Sequence, residues 1–535
     1  MRRKKSNWKA SYFGGAFSVC LAAHVKDCYD KRNYFGGVLM KRENFIQLDG
    51  IAIAELIKNK EVTKEEVLDA SFAQLEKVNG RLNAVTYIRK EQAYEESKKE
   101  NAGVFAGVPI ALKDISQTIA GEPSTGGAYL MKDALAQQTA NFTKTLLASG
   151  VVSIGNSATP EFALKNITES KLHGPTRNPW NENHAPGGSS GGAAALVASG
   201  VVPIAGASDG GGSIRIPASF SGLVGLKPTR GRTPVGPGAG RNWQGAAIDF
   251  VLTKSVRDSA RMLDQLQVVQ QQAAFQTPLY TGSYEETAKI PFSKRFKVGF
   301  TTESPVGTPV SEDAKQAVLK VVKWLEEQGH HVEEVDNGVD GKRLMRNYFL
   351  MNSGEMASLM AQIEGMMGRK ITEQDVEVET WLLNYAGQHV SAAEFSNSLA
   401  SWDVAAAQMA EFHETYDFYI TPSAAFGAPK IGELTHSAER EAQLIEQIKG
   451  LNPSKQQELI YDMFLPSLTY TPFTQLANLT GQPAISVPVH MTKEDLPIGV
   501  QFMAPKGSDE TLLQIAHQLE QSDLWVGMKG NPYFG

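Results

Sequence analysis

Cysteine is nearly absent from this chain of 535 residues, because Cys20 and Cys28 are the only two. Residues 41–535 therefore contain no disulfide, no thiolate nucleophile and no cysteine-ligated zinc site. Histidine is scarce as well, with ten residues, and no H-E-x-x-H pattern occurs. We expect the chemistry of the chain to rely on oxygen or nitrogen nucleophiles and to need no metal.

The chain also lacks a strong excess of charge and a long apolar run. Its formal net charge is -6, with 21% charged and 42% hydrophobic residues. This composition is ordinary for a globular protein and supplies no overall attraction to nucleic acid or to an anionic membrane. No run approaches the roughly 18 apolar residues of a membrane-spanning helix. We expect a cytoplasmic protein that binds neither nucleic acid nor a membrane.

The first 39 residues differ from the rest of the chain. "MRRKK" followed by "FGGAFSVCLAAHV" has the order of a secretory signal, but Gly, Ser and His interrupt its apolar part. A Gly-Gly-Val sequence just before Met40 is compatible with translation of a purine-rich ribosome-binding sequence. We predict that residues 1–39 are a translated leader or non-native extension without ordered structure, and that residues 40–535 form a single domain.

Helix and strand patterns alternate along the remaining chain. "GVPIALKDI" (residues 107–115) has the pattern of a buried strand that ends in a charged pair. "FTKTLLASG" then predicts a helix and "VVSIGN" a strand. This alternation favours an α/β fold with a largely parallel sheet.

Methionines are frequent between residues 347 and 393. Met356, Met360, Ile363 and Met367 recur at helical spacing, which is typical of an apolar stripe packed against the core. The alternative interpretation is that this region forms the wall of an apolar substrate pocket. The sequence favours packing of this stripe against the core, and the second interpretation, a pocket wall, remains an alternative.

Two glycine-rich stretches contain serines: "APGGSSGGAAALVASG" begins at Ala185 and "SDGGGSIRIPASFSG" begins at Ser208. Nucleotide binding is disfavoured, because G-x-x-x-x-G-K-[ST] is absent and "GPGAGR" does not match G-x-G-x-x-G. Residues 187–191 match G-x-S-x-G formally, but a polar, proline-flanked loop precedes them. An α/β-hydrolase elbow requires a strand at that point, so this interpretation is disfavoured as well.

A serine–lysine arrangement accounts for more of the pattern. A serine hydroxyl needs a base near neutral pH, and a buried lysine with a lowered pKa can supply one. Lys113 ends an apolar run, where we expect it to be buried. The backbone N–H groups of Gly210, Gly211 and Gly212 are free to converge beside Ser213 as an oxyanion hole.

Taken together, these stretches resemble the amidase signature family. The stretch from Gly187 to Thr229 follows the pattern G-G-S-S-G-G…G-x-D-x-G-G-S-I-R-x-P-A…G-x-K-P-T, and the resemblance extends over roughly residues 45–520. It implies one large domain with a mixed, mostly parallel central β-sheet covered by helices on both faces. It also implies an amidase that uses no metal or organic cofactor.

The resemblance places the family's catalytic triad at Lys113, Ser189 and Ser213. It implies that Ser213 attacks the amide and carries the acyl group, that Ser189 relays protons, and that Lys113 is the final base. It further implies a cis peptide bond between Gly188 and Ser189. The oxyanion hole is expected from the N–H groups of Gly210, Gly211, Gly212 and Ser213.

Four neighbouring residues are candidates for a supporting role. Ser190 either hydrogen bonds within the site or caps the alanine-rich helix that follows. Asp209 and Arg215 are expected to form a structural ion pair that holds the glycine turn. Asp114 is either a functional acid or one that is only solvated or bonded to a loop.

Two departures from the family pattern point to the branch that contains 6-aminohexanoate-cyclic-dimer hydrolase. Residues 209–213 read D-G-G-G-S, and the S-L-D-Q segment of the tRNA-dependent amidotransferase A subunit is absent after Thr229. We predict hydrolysis of a small-molecule carboxamide, linear or cyclic, to an acid plus ammonia or an amine. An amidotransferase A subunit and a non-enzymatic scaffold are the alternatives. The sequence leaves the acyl group, the amine and the oligomeric state open, with a homodimer as one option.

Overall fold

The computed structural model describes residues 40–100 and 102–534. The predicted leader, residues 1–39, lies outside the described residues, and its assignment stays a prediction. The described helices are α1 Arg42–Phe45, α2 Gly50–Lys58, α3 Lys64–Leu82, α4 Lys90–Ser97, α5 Asn141–Ala148, α6 Gly191–Ala198, α7 Arg215–Ser221, α8 Val256–Leu266, α9 Tyr284–Ala288, α10 Glu312–Glu327, α11 Gly341–Met367, α12 Val378–Gly387, α13 Ala392–Thr415, α14 Ala438–Lys449, α15 Pro453–Tyr470, α16 Gln475–Thr480 and α17 Asp509–Glu520.

The strands are short and lie between these helices. They are β1 Val85–Ile88, β2 Pro109–Lys113, β3 Val152–Ser157, β4 Glu169–Ser170, β5 Gly174–Pro175, β6 Ile204–Asp209, β7 Val224–Lys227, β8 Ile248–Thr253, β9 Lys297–Phe300, β10 His331–Glu334, β11 Phe418–Pro422, β12 Ala484–Met491 and β13 Pro497–Met503. β4 and β5 form a separate two-stranded ladder, and the 3₁₀ turns are Tyr129–Met131, Glu161–Ala163 and Trp243–Gly245.

One central sheet contains 11 strands of the described chain, in the order β1-β3-β2-β6-β8-β7-β12-β13-β11-β9-β10. The pairs β3–β2, β2–β6, β11–β9 and β9–β10 are parallel. The other neighbouring pairs are antiparallel. Parallel pairing therefore lies on each side of an antiparallel centre. The expected α/β fold with a mixed central sheet in one large domain is confirmed, but only four of the ten neighbouring pairs are parallel, so the sheet is less parallel than the alternation of helices and strands predicted.

Helices cover both faces of this sheet. Every residue of β2, β7, β8, β11 and β13 is buried. Because successive side chains of a strand point to opposite faces, such unbroken burial requires a layer on each side. The helix α6 is buried along its whole length and packs on β2, β3, β6 and β8. Its alanines and glycines permit this close approach.

The sheet positions the residues that the sequence singled out. β2 and β6 are parallel neighbours, with Ala111 opposite Ala205. Their carboxyl ends therefore meet at one edge of the sheet, which brings Lys113 at the end of β2 beside Ser208 near the end of β6. The glycine turn that contains Ser213 follows β6 directly.

The methionine-rich region forms most of α11. Met356, Met360 and Ile363 are buried in a second core cluster that α11 shares with α12, α14 and α15. Met367, in the last turn, is 43% exposed because α11 ends there and extends beyond this core. The core-stripe interpretation therefore holds for the first three positions and is wrong for Met367.

Candidate active site

A cavity of about 370 Å³ opens at the sheet edge where β2 and β6 end. Ser189, Ser208 and Ser213 line one end of it. The remaining wall is mainly apolar and comes from several distant segments of the chain: Ile115, Phe162, Leu164, Ile216, Trp243, Met345, Phe349, Leu359, Phe464 and Leu468. Hydroxyl groups therefore meet an apolar pocket, which is the common arrangement of a small-molecule site.

Lys113 is buried at the polar end, with only 1% of its surface exposed. Its Nζ lies 2.8 Å from Ser189 Oγ and 2.9 Å from Ser208 Oγ, and the Ser208 carbonyl oxygen is at 3.5 Å. Burial lowers the pKa of Lys113 to about 7, although the charges of Asp249 and Asp209 act in the opposite direction. A large share of the amine is therefore neutral near neutral pH, as a base requires.

Ser189 lies two residues before the start of α6, and the peptide bond between Gly188 and Ser189 is cis. A Cβ atom on Gly188 would lie 2.6 Å from the backbone nitrogen of Ile167, so only glycine fits here. Ser213 is half-buried on the cavity wall. Its hydroxyl makes no hydrogen bond with any described residue, so the expected contact between the two serines is not formed in this structure.

The glycine turn requires one correction to the expected oxyanion hole. The N–H of Gly212 donates to Asp209 Oδ1 at 2.7 Å, and Gly212 does not line the cavity. The N–H groups of Gly210, Gly211 and Ser213 donate to no atom of the described residues, and these three residues do line the cavity. The set of candidate donors is therefore three rather than four.

Asp209 and Arg215 form the ion pair that the sequence suggested. Both side chains are fully buried, and Arg215 donates from Nε to Asp209 Oδ2 at 2.9 Å and from Nη2 to Oδ1 at 2.8 Å. Burial alone would raise the pKa of Asp209, but Arg215 and Asn478 lower it to about 2. Asp209 also accepts the N–H of Ile214 at 3.2 Å, so the pair fixes the backbone on both sides of Ser213.

The structure decides between the two roles considered for Ser190 and for Asp114. Ser190 stands before α6 without a side-chain cap, and its hydroxyl instead lies 3.3 Å from both the carbonyl oxygen and the nitrogen of Ser208. Asp114 is bonded to a loop, because it accepts the N–H and the hydroxyl of Thr125 at 3.0 and 2.5 Å. Burial raises the pKa of Asp114 to about 6, and Asp114 does not line the cavity.

Three further residues of this site escaped the sequence analysis. Ser208 bonds Lys113, Asp249 lines the cavity, and Tyr348 donates its hydroxyl to the carbonyl oxygen of Gly210 at 3.1 Å. Burial raises the pKa of Asp249 to about 6, against the effect of hydrogen bonds from Ser116 and nearby amides. The position of Ser208 directly before Asp209 was a usable signal, whereas nothing in the sequence marked the other two.

The described residues contain neither a cluster of metal-binding side chains nor a membrane-spanning helix. No group of three or more His, Cys, Asp or Glu side chains in that part of the chain is arranged to hold a metal ion. Within the same residues, no helix combines the length and the apolar character that crossing a membrane requires.

The Amidase family model matches residues 66–513, which include all of the residues above. The chain belongs to the amidase family. A lipoamidase of Enterococcus faecalis is 40% identical over 90% of this chain, which spans 64% of the length of that relative. The 6-aminohexanoate-cyclic-dimer hydrolase of Paenarthrobacter ureafaciens is 34% identical over 90% of this chain and 96% of the relative.

A solved structure of 6-aminohexanoate cyclic dimer hydrolase matches the amidase with a TM-score of 0.83 and 32% identity, covering 92% of this chain and 99% of that one. These findings confirm the family, the branch that the sequence resembles and an enzyme that acts on amides. The comparisons give no support to the amidotransferase subunit. Neither the roles of individual residues nor the substrate follows from these similarities alone.

Proposed function

We propose that the amidase hydrolyses a small-molecule amide through an acyl-enzyme on Ser213, with Ser189 as the proton relay and Lys113 as the base. The observation that carries this proposal is the 2.8 Å contact between the Lys113 amine and the Ser189 hydroxyl inside the cavity that Ser213 lines. A lysine can act as a base only when it is neutral, and burial provides that condition here.

The hydrogen bonds around Lys113 support a direction for proton transfer. A neutral amine has two N–H donors and one lone pair, and the hydroxyl and carbonyl oxygens of Ser208 accept the two N–H groups. The lone pair then faces Ser189, whose hydroxyl donates to it. This leaves an oxygen lone pair of Ser189 to accept the proton of Ser213 once substrate is bound, because catalytic contacts often tighten only in the complex.

The proposed reaction has two half-reactions. Ser213 Oγ attacks the carbonyl carbon while its proton passes to Ser189 and the Ser189 proton passes to Lys113. The proton then returns by the same route to the leaving nitrogen, and the carbon–nitrogen bond breaks to leave an ester on Ser213. Water attacks this ester by the same proton path, which releases the acid and restores the enzyme.

The oxyanion of each tetrahedral intermediate is assigned to the turn before Ser213. The N–H groups of Gly210, Gly211 and Ser213 have no other acceptor among the described residues. Such donors stabilise negative charge that develops only in the transition state, and removal of one costs about 10²–10³ in kcat in known cases.

The apolar wall suggests the substrate class. Aromatic and aliphatic side chains face the hydroxyl end of the cavity, which favours an amide whose acyl part is an extended aliphatic chain. The name 6-aminohexanoate denotes a linear six-carbon unit, and the lipoamidase similarity is also consistent with an aliphatic acyl group. We therefore propose linear aliphatic amides of about six carbons as substrates.

Labelling by a fluorophosphonate probe tests the nucleophile. We expect intact-mass analysis to find one adduct on the wild-type chain and none on Ser213→Ala. Ser221→Ala is a matched control, because Ser221 is also buried, at the end of α7, and its hydroxyl bonds only the carbonyl of Pro186, at 3.3 Å. Labelling that persists in Ser213→Ala would move the nucleophile to another residue.

Hydrolysis of hexanoyl-4-nitroanilide tests the substrate class. We expect the purified single chain to release 4-nitroaniline and to prefer the hexanoyl compound to the acetyl compound by at least about tenfold in kcat/KM, since each buried methylene contributes about 0.8 kcal/mol. Equal rates for the two acyl groups would contradict the proposed acyl pocket.

The proposal also covers the partners of the amidase and its location in the cell. The net charge of -6 supplies no overall attraction to nucleic acid, and we propose that the amidase acts on its substrate in the cytoplasm. A homodimer is the oligomeric state to test first, by light scattering of the full chain. Fractionation of the native host tests the location.

A further inference from the structure

A chain of polar contacts connects the cavity wall to the oxyanion turn. Trp243 Nε1 donates to Asn352 Oδ1 at 2.6 Å. Asn352 lies one turn after Tyr348 on α11, and its side-chain amide is close enough to the Tyr348 hydroxyl to lower the pKa of that group. That hydroxyl in turn donates to the carbonyl oxygen of Gly210 at 3.1 Å. All four residues line the catalytic cavity.

The last bond in this chain controls the direction of an N–H group. In a trans peptide the carbonyl of one residue and the N–H of the next point in opposite directions. A hydroxyl that holds the Gly210 carbonyl therefore also orients the N–H of Gly211, one of the candidate oxyanion donors. The next peptide behaves in the same way, because Thr474 Oγ1 donates to the Gly211 carbonyl at 2.6 Å while the following N–H, of Gly212, reaches Asp209.

Tyr348 is also in close contact with the turn. A Cβ atom added to Gly211 would lie 2.9 Å from the Tyr348 hydroxyl oxygen, so the hydroxyl packs directly on this glycine. Tyr348 comes from α11, which belongs to a different part of the chain from the turn. The contact is therefore made only when α11 and the sheet edge are packed together.

The other end of the chain belongs to the wall that meets substrate. Trp243 lies in a turn where both Trp243 and Gln244 have positive φ, at 49° and 54°. Gln244 Nε2 donates to Glu355 Oε1 of α11 at 2.7 Å, which holds this turn against the helix. A group that fills the apolar cavity therefore touches Trp243, which bonds Asn352, and Asn352 lies beside the tyrosine that bonds the oxyanion turn.

We propose that Tyr348 is a positioning residue for the oxyanion hole, and that Trp243 and Asn352 connect it to the part of the cavity that holds the acyl chain. The inference rests on the proposed function of Ser213 and its neighbouring N–H groups. Tyr348 does not bond the reacting atoms in this account. It acts through the Gly210 carbonyl on the N–H of Gly211, so its loss weakens stabilisation of the oxyanion and leaves ground-state binding nearly unchanged.

Tyr348→Phe tests this inference, because it removes one hydroxyl and keeps the ring. With hexanoyl-4-nitroanilide we expect kcat to fall about tenfold and KM to change less than about twofold, since the donor stays present but loses the bond that orients it. The control is Tyr461→Phe, which removes a hydroxyl from the same core cluster without a bond to the turn. We expect the control to match the wild type.

The inhibition constant of 1,1,1-trifluoroheptan-2-one separates a loss of oxyanion stabilisation from a general disturbance of the cavity. This ketone adds to a nucleophilic serine and forms an oxyanion, so its inhibition constant should rise about tenfold in Tyr348→Phe. Inhibition by the product hexanoate forms no new oxyanion and should stay within about twofold. Equal weakening of both inhibitors, or no change in kcat, would overturn the role of Tyr348.

Trp243→Phe tests the outer end of the chain, because it removes the indole N–H that bonds Asn352 and keeps an aromatic ring, although a smaller one. We expect a fall in kcat that is larger for hexanoyl-4-nitroanilide than for the acetyl compound, which does not reach this wall. An equal fall for both compounds would contradict the connection.

The two proposals fail differently. If the wild type is not labelled on Ser213, the proposed function is wrong. Labelling of Ser213 with unaltered kinetics in Tyr348→Phe rejects only the positioning role of Tyr348.

Discussion

Lys113 should determine the acid side of the pH profile of this amidase. Burial lowers its pKa to about 7, against the opposing charges of Asp249 and Asp209. Only the neutral amine can accept a proton from Ser189, so activity should rise as Lys113 loses its proton. The pH profile of kcat/KM reports the ionisation of the free enzyme, which is the state that the structure describes.

The expected magnitude follows from one titrating base. With a pKa of about 7, kcat/KM should be half of its plateau near pH 7, about tenfold below it at pH 6 and about 100-fold below it at pH 5. Lys113→Arg should lie near the level of Lys113→Ala at every pH, because a guanidinium stays protonated and cannot serve as a base. A profile of this shape would be unexpected for an ordinary lysine, whose pKa is 10.5.

Asp249 is the competing explanation for an acid limb, because burial raises its pKa to about 6. The variant Asp249→Asn separates the two groups. The charge of Asp249 raises the pKa of Lys113, so its removal should move the acid limb to lower pH and keep its slope. If Asp249 were itself the base, the same substitution would abolish the activity and the limb together.

The assay is release of 4-nitroaniline from hexanoyl-4-nitroanilide between pH 5 and 9, with enzyme stability checked at each pH by activity after return to neutral pH. Ser116→Ala is a second test on the Asp249 side: the 2.6 Å hydrogen bond from Ser116 lowers the pKa of that carboxyl, so its removal should shift the acid limb in the same direction as Asp249→Asn, by a smaller amount. An acid limb in Asp249→Asn at the same pH as in the wild type would refute the coupling of these two groups. A flat profile from pH 5 to 9 would refute a lysine base.

The remaining predictions concern the turn and the pocket. Arg215→Met should lower the free energy of unfolding by about 3–5 kcal/mol in urea denaturation, because it leaves Asp209 charged and buried without its partner, and a double variant that also carries Asp209→Asn should recover part of the loss. The lowered pKa of Asp209 means that its contribution is complete above 3.8 and is lost as the pH falls through about 2, so acid unfolding should begin earlier in Asp209→Asn. Gly211→Ala should reduce kcat by at least about 100-fold through collision with Tyr348, and Tyr348→Ala in the same chain should restore part of it; no restoration would contradict the 2.9 Å contact. Phe464→Leu should raise KM for the hexanoyl substrate more than it lowers kcat, because Phe464 belongs to the apolar wall of the cavity and bonds none of the proposed catalytic groups; an effect on kcat alone would contradict this role.

The sequence predicted those parts of the site that lie in recognisable motifs. Ser189 and Ser213 were assigned from a pattern of some forty residues, and Lys113 from the separate apolar run of residues 107–115 that the same family resemblance covers. The sheet explains why residues so far apart in the chain meet: Lys113 and Ser189 are separated by 76 positions, and the adjacent ends of β2 and β6 bring their surroundings together.

The sequence could not predict which way a backbone group points. Gly212 was expected to serve the oxyanion hole because glycine permits many backbone orientations, but its N–H bonds the Asp209 carboxylate. That outcome depends on the rotamer of Asp209, which Arg215 and Asn478 determine from other parts of the fold. The three glycines allow the turn several backbone conformations. Contacts from distant parts of the chain select one of them.

Neither a motif nor the hydrophobic periodicity of the sequence predicts which residues form the cavity wall. Met356 and Met360 were the conspicuous residues of α11, and both pack in the core, whereas Tyr348 and Asn352 of the same helix face the cavity. Because the two faces of α11 are separate, residues on its cavity face can be substituted without disturbing its core face or the catalytic stretch. Tyr348 limits that freedom: a substitution that moves the helix relative to the sheet edge also moves the hydroxyl that holds the Gly210 carbonyl. Changes in acyl specificity should therefore be tolerated at Leu359, about three turns further along the helix, more readily than at the positions next to Tyr348.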